Sequence, residues 1–167
     1  MSGALSHSGG CQCGAVRYRI AGALGYPHLC HCRMCQKAGG NFFMALAGTR
    51  DKNFEITRGE ARWFSSSDPC RRGFCETCGT PLFFKTVDSP YVSVTIGSLD
   101  NPEATTPVSQ DGVEARISYF DKLFALPQKA TDRSDLPDGN RRIAHSNHQH
   151  PDHDTETWPP EDISNDE

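Results

Sequence analysis

Seven of the eight cysteines fall into three tight groups, Cys11-x-Cys13, Cys30-x-Cys32-x-x-Cys35 and Cys75-x-x-Cys78. No other feature constrains the chain as strongly. One residue between thiols, as in the first group and at the start of the second, is too little chain to close an unstrained disulfide ring. The third group lies in Phe74-Cys75-Glu76-Thr77-Cys78-Gly79-Thr80-Pro81, a knuckle in which two sulfurs and nearby backbone N–H groups can face one ion. Gly79 permits the positive-φ turn that keeps a Cβ out of the way, and Gly14 gives the first group similar freedom. Zinc ligation, rather than cystine formation, is the chemistry predicted for these residues.

The remaining composition agrees. At 167 residues the chain fits one domain, and a hydrophobic content of 36% supplies only a modest core, the kind that commonly leans on a metal. The opening MSGALSHSGG has neither a charged n-region nor an apolar h-region, and no run approaches the ~18 apolar residues of a membrane span. The expectation is a cytoplasmic chain with reduced thiols and no membrane partner. The net charge of −4 is unevenly spread: residues 151–167 hold seven acids and no Lys or Arg, leaving 17 basic against 14 acidic side chains in residues 1–150. Without a dense basic stripe, no nucleic-acid partner is expected.

Val16, Tyr18 and Ile20 alternate on one face of a strand predicted over Ala15–Ile20. Further short strands are predicted over Phe42–Ala47, Phe54–Thr57, Arg62–Ser65, Leu82–Thr86, Tyr91–Ile96 and Val113–Phe120. Turn clusters such as Gly39-Gly40 and Asp88-Ser89-Pro90 separate them, and one helical turn is expected over Arg33–Ala38, stopped by Gly39. Many short strands with regular turn signals predict an all-β, or mainly β, fold. A folded domain over residues 9–126 is expected, followed by a polar His/Asp-rich tail over 127–167, partly ordered at most. Ile143, Trp158 and Ile163 could dock that tail onto the body. Its His145, His148, His150 and His153, with Asp152 and Asp154, form a labile metal site, an exposed polar surface, or a cover over the zinc cleft that supplies a ligand or a proton relay. Phe42-Phe43 and Phe83-Phe84 are expected to pack in the core, with one of each pair free to face a cleft. Cys70 has no spacing partner.

Two pairs of sulfurs make a closed tetrahedral set of the structural kind, and joining the first group to the third would close a loop of more than sixty residues. The middle group offers three sulfurs, which leaves a fourth position for water or substrate unless His28 or His31 fills it. Spacing alone leaves other partitions open.

The chain resembles the glutathione-dependent formaldehyde-activating enzyme family, which includes the domain of centromere protein V. The resemblance rests on Gly10-Cys11-Gln12-Cys13-Gly14, on Cys30-His31-Cys32-Arg33-Met34-Cys35-Gln36-Lys37-Ala38-Gly39-Gly40, and on Arg72-Gly73-Phe74-Cys75-Glu76-Thr77-Cys78-Gly79-Thr80-Pro81-Leu82, followed by Gly97-Ser98-Leu99-Asp100-Asn101-Pro102. It covers residues 9 to about 125 and not the tail. The resemblance implies a compact β fold with two zinc ions. Cys11, Cys13, Cys75 and Cys78 match the structural zinc ligands, and Cys30, Cys32 and Cys35 match the ligands of the catalytic zinc. It also implies condensation of formaldehyde with glutathione to S-(hydroxymethyl)glutathione, formally a carbon–sulfur lyase reaction in reverse.

A site of three thiolates and Zn²⁺ carries net charge −1, which suits it to accept a soft thiolate rather than to polarise a carbonyl. His31 or a zinc-site water could return the proton, and Arg33 and Lys37 could meet glutathione carboxylates. The alternatives are a non-catalytic zinc-ribbon interaction module and a thiol or zinc sensor.

Overall fold

The computed structural model describes residues 5–129, 142–143 and 146–159, so His145 and Ile163 lie outside the described residues. Within them the chain forms strands β1 (Ser6–Gly10), β2 (Arg17–Ala21) and β3 (Gly25–Cys30), a helix α1 (Arg33–Gly39), then β4 (Met44–Arg50), β5 (Phe54–Arg58), β6 (Arg62–Ser67), β7 (Cys70–Phe74), β8 (Pro81–Thr86), β9 (Tyr91–Thr95) and β10 (Ser109–Asp111). Two sheets result, one of three strands in the order β1-β2-β5 and one of seven in the order β10-β3-β4-β9-β8-β7-β6. All pairings are antiparallel except β10 on β3. The mainly β expectation holds.

The inward face of β2 carries Tyr18 and Ile20, as the alternation required, and both are fully buried. They meet Phe83 of β8 and Val92 and Val94 of β9 in the main core. The Tyr18 ring lies edge-on to Phe83 at 5.3 Å, while its hydroxyl shares a 2.7 Å hydrogen bond with Ser98. A lone bridge between Gly9 and Leu99 joins the small sheet to the segment after β9.

Val113–Phe120 is not a strand. Gly112 turns the chain at φ 64°, and Val113–Ala115 and Phe120–Ala125 are 3₁₀ turns. The apolar spacing serves a different end, since Phe120 is buried against the rings of His31 at 4.7 Å and Phe43 at 5.8 Å. Met34, Gln36, Lys37 and Ala38 suit a helix, which runs one residue past the expected stop. Gly40, not Gly39, takes the left-handed turn at φ 59° and bonds back to the Gln36 carbonyl.

Candidate metal centres

Cys11 and Cys13 sit on the loop after β1, and Cys75 and Cys78 on the loop joining β7 to β8. Each loop folds back in the same way. The N–H of Cys11 bonds the Val16 carbonyl at 3.0 Å, and the N–H of Cys75 bonds the Thr80 carbonyl at 3.0 Å. Gly14 and Gly79 take φ of 77° and 76°, the positive values expected of both knuckles. Gln12 N–H then donates to the Thr80 hydroxyl at 3.1 Å, clasping one loop to the other.

The four sulfurs consequently lie within 4.8 Å of one another. Cys11 and Cys13 sulfurs are 3.6 Å apart, and those of Cys13 and Cys75 3.9 Å. A tetrahedron of zinc–sulfur bonds separates its sulfurs by about 3.8 Å, whereas a disulfide needs about 2.05 Å. The spacing fits a shared ion, and none of the eight cysteines is in a disulfide. N–H of Val16 donates to Cys11 Sγ at 3.2 Å. Burial pushes the Cys11 thiol up strongly. Burial also raises Cys78, but the Thr80 hydroxyl and the N–H groups of Thr80 and Cys13 outweigh it and bring that thiol down to about 6.

The second group stands apart. Cys30 ends β3, Cys32 precedes α1, and Cys35 lies in its first turn. Their sulfurs also lie within 4.8 Å of one another, Cys30 and Cys32 at 3.5 Å. Burial pushes Cys30 up to about 12. Burial raises Cys32 as well, yet the N–H of Cys35 and the neighbouring thiols more than offset it and hold Cys32 low. Phe84 packs on this group while Phe83 enters the main core, so both rings of the second aromatic pair take the expected core packing.

Neither candidate histidine joins the three sulfurs. His31 points away and is fully buried, with Nε2 donating to the Gln110 side-chain oxygen at 3.0 Å. His28 donates Nδ1–H to the Tyr26 carbonyl at 2.9 Å, with Nε2 4.0 Å from Asp111. Among the described residues, the group therefore offers three protein ligands.

Sequence reasoning missed the braces. The Gln36 amide donates to the carbonyls of His31 at 2.7 Å and Ala115 at 2.9 Å, pinning the cysteine loop. Arg33 and Lys37 are exposed on α1, and Arg33 donates to the Gln36 side-chain oxygen at 3.1 Å. Nothing in their spacing marks Gln36 or Gln110 as braces, because both partners of each bond come from distant or irregular segments.

The tail histidines do not gather into a metal site among the described residues. His150 instead buries its ring against Gly14, where any Cβ would collide with it. Asp154 pairs with Arg17 at 2.8 Å and Arg19 at 3.0 Å. Cys70 begins β7 away from both groups, and Arg71 beyond it lies over the Trp63 ring at 4.5 Å.

The sequence profile of the glutathione-dependent formaldehyde-activating enzyme family matches residues 6–114. The chain belongs to that family. A protein of Halomonas elongata that carries the same family name is 28% identical over 136 residues, covering 70% of this chain and 85% of its own. A Rhodobacter sphaeroides protein of known crystal structure shares the fold at a TM-score of 0.50 and 23% identity, over 62% of this chain and 98% of that one. Among the described residues, the two cysteine groups gather ligand atoms closely enough to share a metal ion. No helix among the described residues is long and apolar enough to cross a membrane.

Proposed function

We propose that the chain is a zinc-dependent carbon–sulfur lyase-type enzyme that interconverts formaldehyde plus glutathione with S-(hydroxymethyl)glutathione. The observation that carries this reading is the contrast between the two cysteine groups: four sulfurs close a tetrahedron, while three leave a position open. Cys11, Cys13, Cys75 and Cys78 are assigned a structural zinc, and Cys30, Cys32 and Cys35 a catalytic one. A closed interaction module would need a fourth protein ligand in the second group.

A zinc ion on Cys30, Cys32 and Cys35 supplies one chemical service, a site where an added thiol binds as its thiolate. The protein's share is position. Cys35 is buried and Cys30 and Cys32 are partly exposed, so a thiol approaches from the Cys30–Cys32 side. The sulfur forms a bond to the formaldehyde carbon, the carbonyl π pair moves to oxygen, and that oxygen takes up the proton the thiol released. Thiol and aldehyde combine without another reactant. Proximity and a populated thiolate are what this addition needs. His31 is unsuited to return the proton, because it is buried and its N–H is held by Gln110. Arg33 and Lys37, exposed on α1, are the side chains assigned to glutathione carboxylates in this reading. A reducing, cytoplasmic setting suits thiols that must stay metal-bound.

Two-dimensional exchange spectroscopy on equilibrated formaldehyde and glutathione tests the activity. Exchange faster than in buffer, and lost in Cys32→Ser, is expected; exchange at the buffer rate overturns it.

A further inference from the structure

Arg72 of β7 is 8% exposed. Its Nη2 donates to Cys35 Sγ at 3.4 Å and its Nη1 to Met44 Sδ at 3.6 Å, while the guanidinium lies 5.1 Å over the Phe84 ring. Its Nε has no hydrogen-bond partner. Among the described residues no carboxylate pairs with it. Arg17 makes the contrast, because it is comparably buried and bridges Asp100 and Asp154.

A buried cation without a counter-charge is strongly disfavoured. Among the described residues, the group able to carry negative charge that its guanidinium contacts is the Cys35 sulfur. The contact itself is buried, with Cys35 3% exposed and Met44 and Phe84 packed against the guanidinium. Weak screening there strengthens charge–charge interactions.

We infer that Arg72 is the counter-charge of the three-cysteine group, a positioning residue that makes entry of a fourth, anionic sulfur favourable. The inference rests on the reading of that group as a thiol-accepting metal site. Three thiolates and a divalent ion sum to −1, and a fourth thiolate would bring the site to −2. Arg72 holds the total at −1. Because it acts on charge and not on the rest of the thiol molecule, its effect is the same for a small neutral thiol and for glutathione.

The test uses the full-length protein loaded with cobalt, titrated separately with 2-mercaptoethanol and glutathione while the sulfur-to-cobalt charge-transfer and d–d bands are followed. In Arg72→Gln both dissociation constants should rise by at least roughly tenfold, the effect expected of removing an opposite charge at this range. Arg72→Lys should recover most of the loss. Wild-type affinity in Arg72→Gln would overturn the inference, as would weakening confined to glutathione, which would make Arg72 a carboxylate contact instead. Should Arg72→Gln fail to hold cobalt, Arg72→Lys decides: near-wild-type affinity for both thiols supports the charge role, and loss in a folded, cobalt-loaded protein refutes it. Wild-type protein that binds neither thiol would sink the thiol-accepting reading and this inference with it. Normal thiol binding without accelerated formaldehyde exchange would remove only the proposed reaction.

Discussion

The indole Nε1 of Trp158 donates a 2.6 Å hydrogen bond to the main-chain carbonyl of Cys13, across 145 residues of sequence. Nearby, the N–H of His150 donates to the Gln12 carbonyl at 2.7 Å. The segment 146–159 is thereby strapped over the loop that carries half of the first cysteine group. Trp158→Ala should weaken this docking by about 1 kcal/mol, the usual worth of one such bond. Metal release from the first group to a chelator should then quicken by up to about fivefold. An unchanged release rate would mean that the strap does not guard the site.

Arg17 is 3% exposed and bridges Asp100 at 2.6 Å and Asp154 at 2.8 Å. Asp100 also accepts from the Ser8 hydroxyl at 2.6 Å, so the bridge links the first strand, the segment after β9 and the C-terminal segment. Replacement by Met keeps the apolar stem but strands the Asp100 carboxylate, while Asp154 keeps its bond to Arg19. Because Asp154 is about one-third exposed, the cost should be roughly 2–3 kcal/mol, below the usual range for breaking a buried pair. Thermal unfolding should fall by about 4–12 °C, and Asp100→Asn in the same chain should recover part of it. A loss near zero would show that the bridge contributes little.

His150 sets a pH dependence. Burial first, then the Arg17 and Arg58 charges, hold it below the ordinary histidine value of 6.5, against the opposing Pro151 carbonyl and Asp100. Its Nδ1–H bonds the Pro151 carbonyl at 2.8 Å, and its Nε2 accepts from Arg58 Nη1–H at 3.2 Å. The docked state thus favours neutral imidazole, and the detached state takes the proton first. Stabilisation from this group is fully present above pH 6.5 and declines as pH falls towards the lower docked value. Asp154, held below 3.8 because its bonds to Arg17 and Arg19 outweigh burial, loses its contribution only at still lower pH. Protease protection of the 146–159 segment should therefore weaken between pH 7 and 5, and His150→Gln should flatten that profile. The same slope in the variant would assign it to another group.

The two cysteine groups should fail differently. Cys75→Ser opens the four-sulfur set that ties β1 to the β7–β8 loop, and structural zinc binding is folding free energy. Insoluble or unfolded protein is expected. Cys32→Ser removes a ligand at the edge of α1 and should leave the circular dichroism spectrum near wild type, with one metal fewer and no exchange activity. Equal loss of fold in both would contradict the division of labour.

Much of this was legible from local pattern. Val16, Tyr18 and Ile20 announced their buried face, and the cysteine spacings announced three clusters, whose joining into two groups came from the family resemblance. The strands that went unread have sequences that do not favour pleated structure. Ser6–Gly10 is Ser- and Gly-rich and exists because β2 pairs with it. Gly25–Cys30 contains Pro27 at a break in register, where no ladder bond is lost. Val113–Phe120 was misread because Phe120 packs onto His31 from a 3₁₀ turn while Val113 and Tyr119 stay exposed, so its apolar spacing marks no paired strand. Arg72 and Gln36 carried no signal, since each acts through a partner that only the tertiary fold supplies.

On the proposed reading, seven thiolates hold two ions, one enclosed by four sulfurs and one open to substrate. Native mass spectrometry of freshly purified protein, compared with the same sample denatured in acid, tests it directly. The account predicts a folded chain two zinc ions heavier than its fully reduced mass, returning to that mass on unfolding. A folded chain with no metal, or one lighter by the hydrogens lost to cystines, would contradict it.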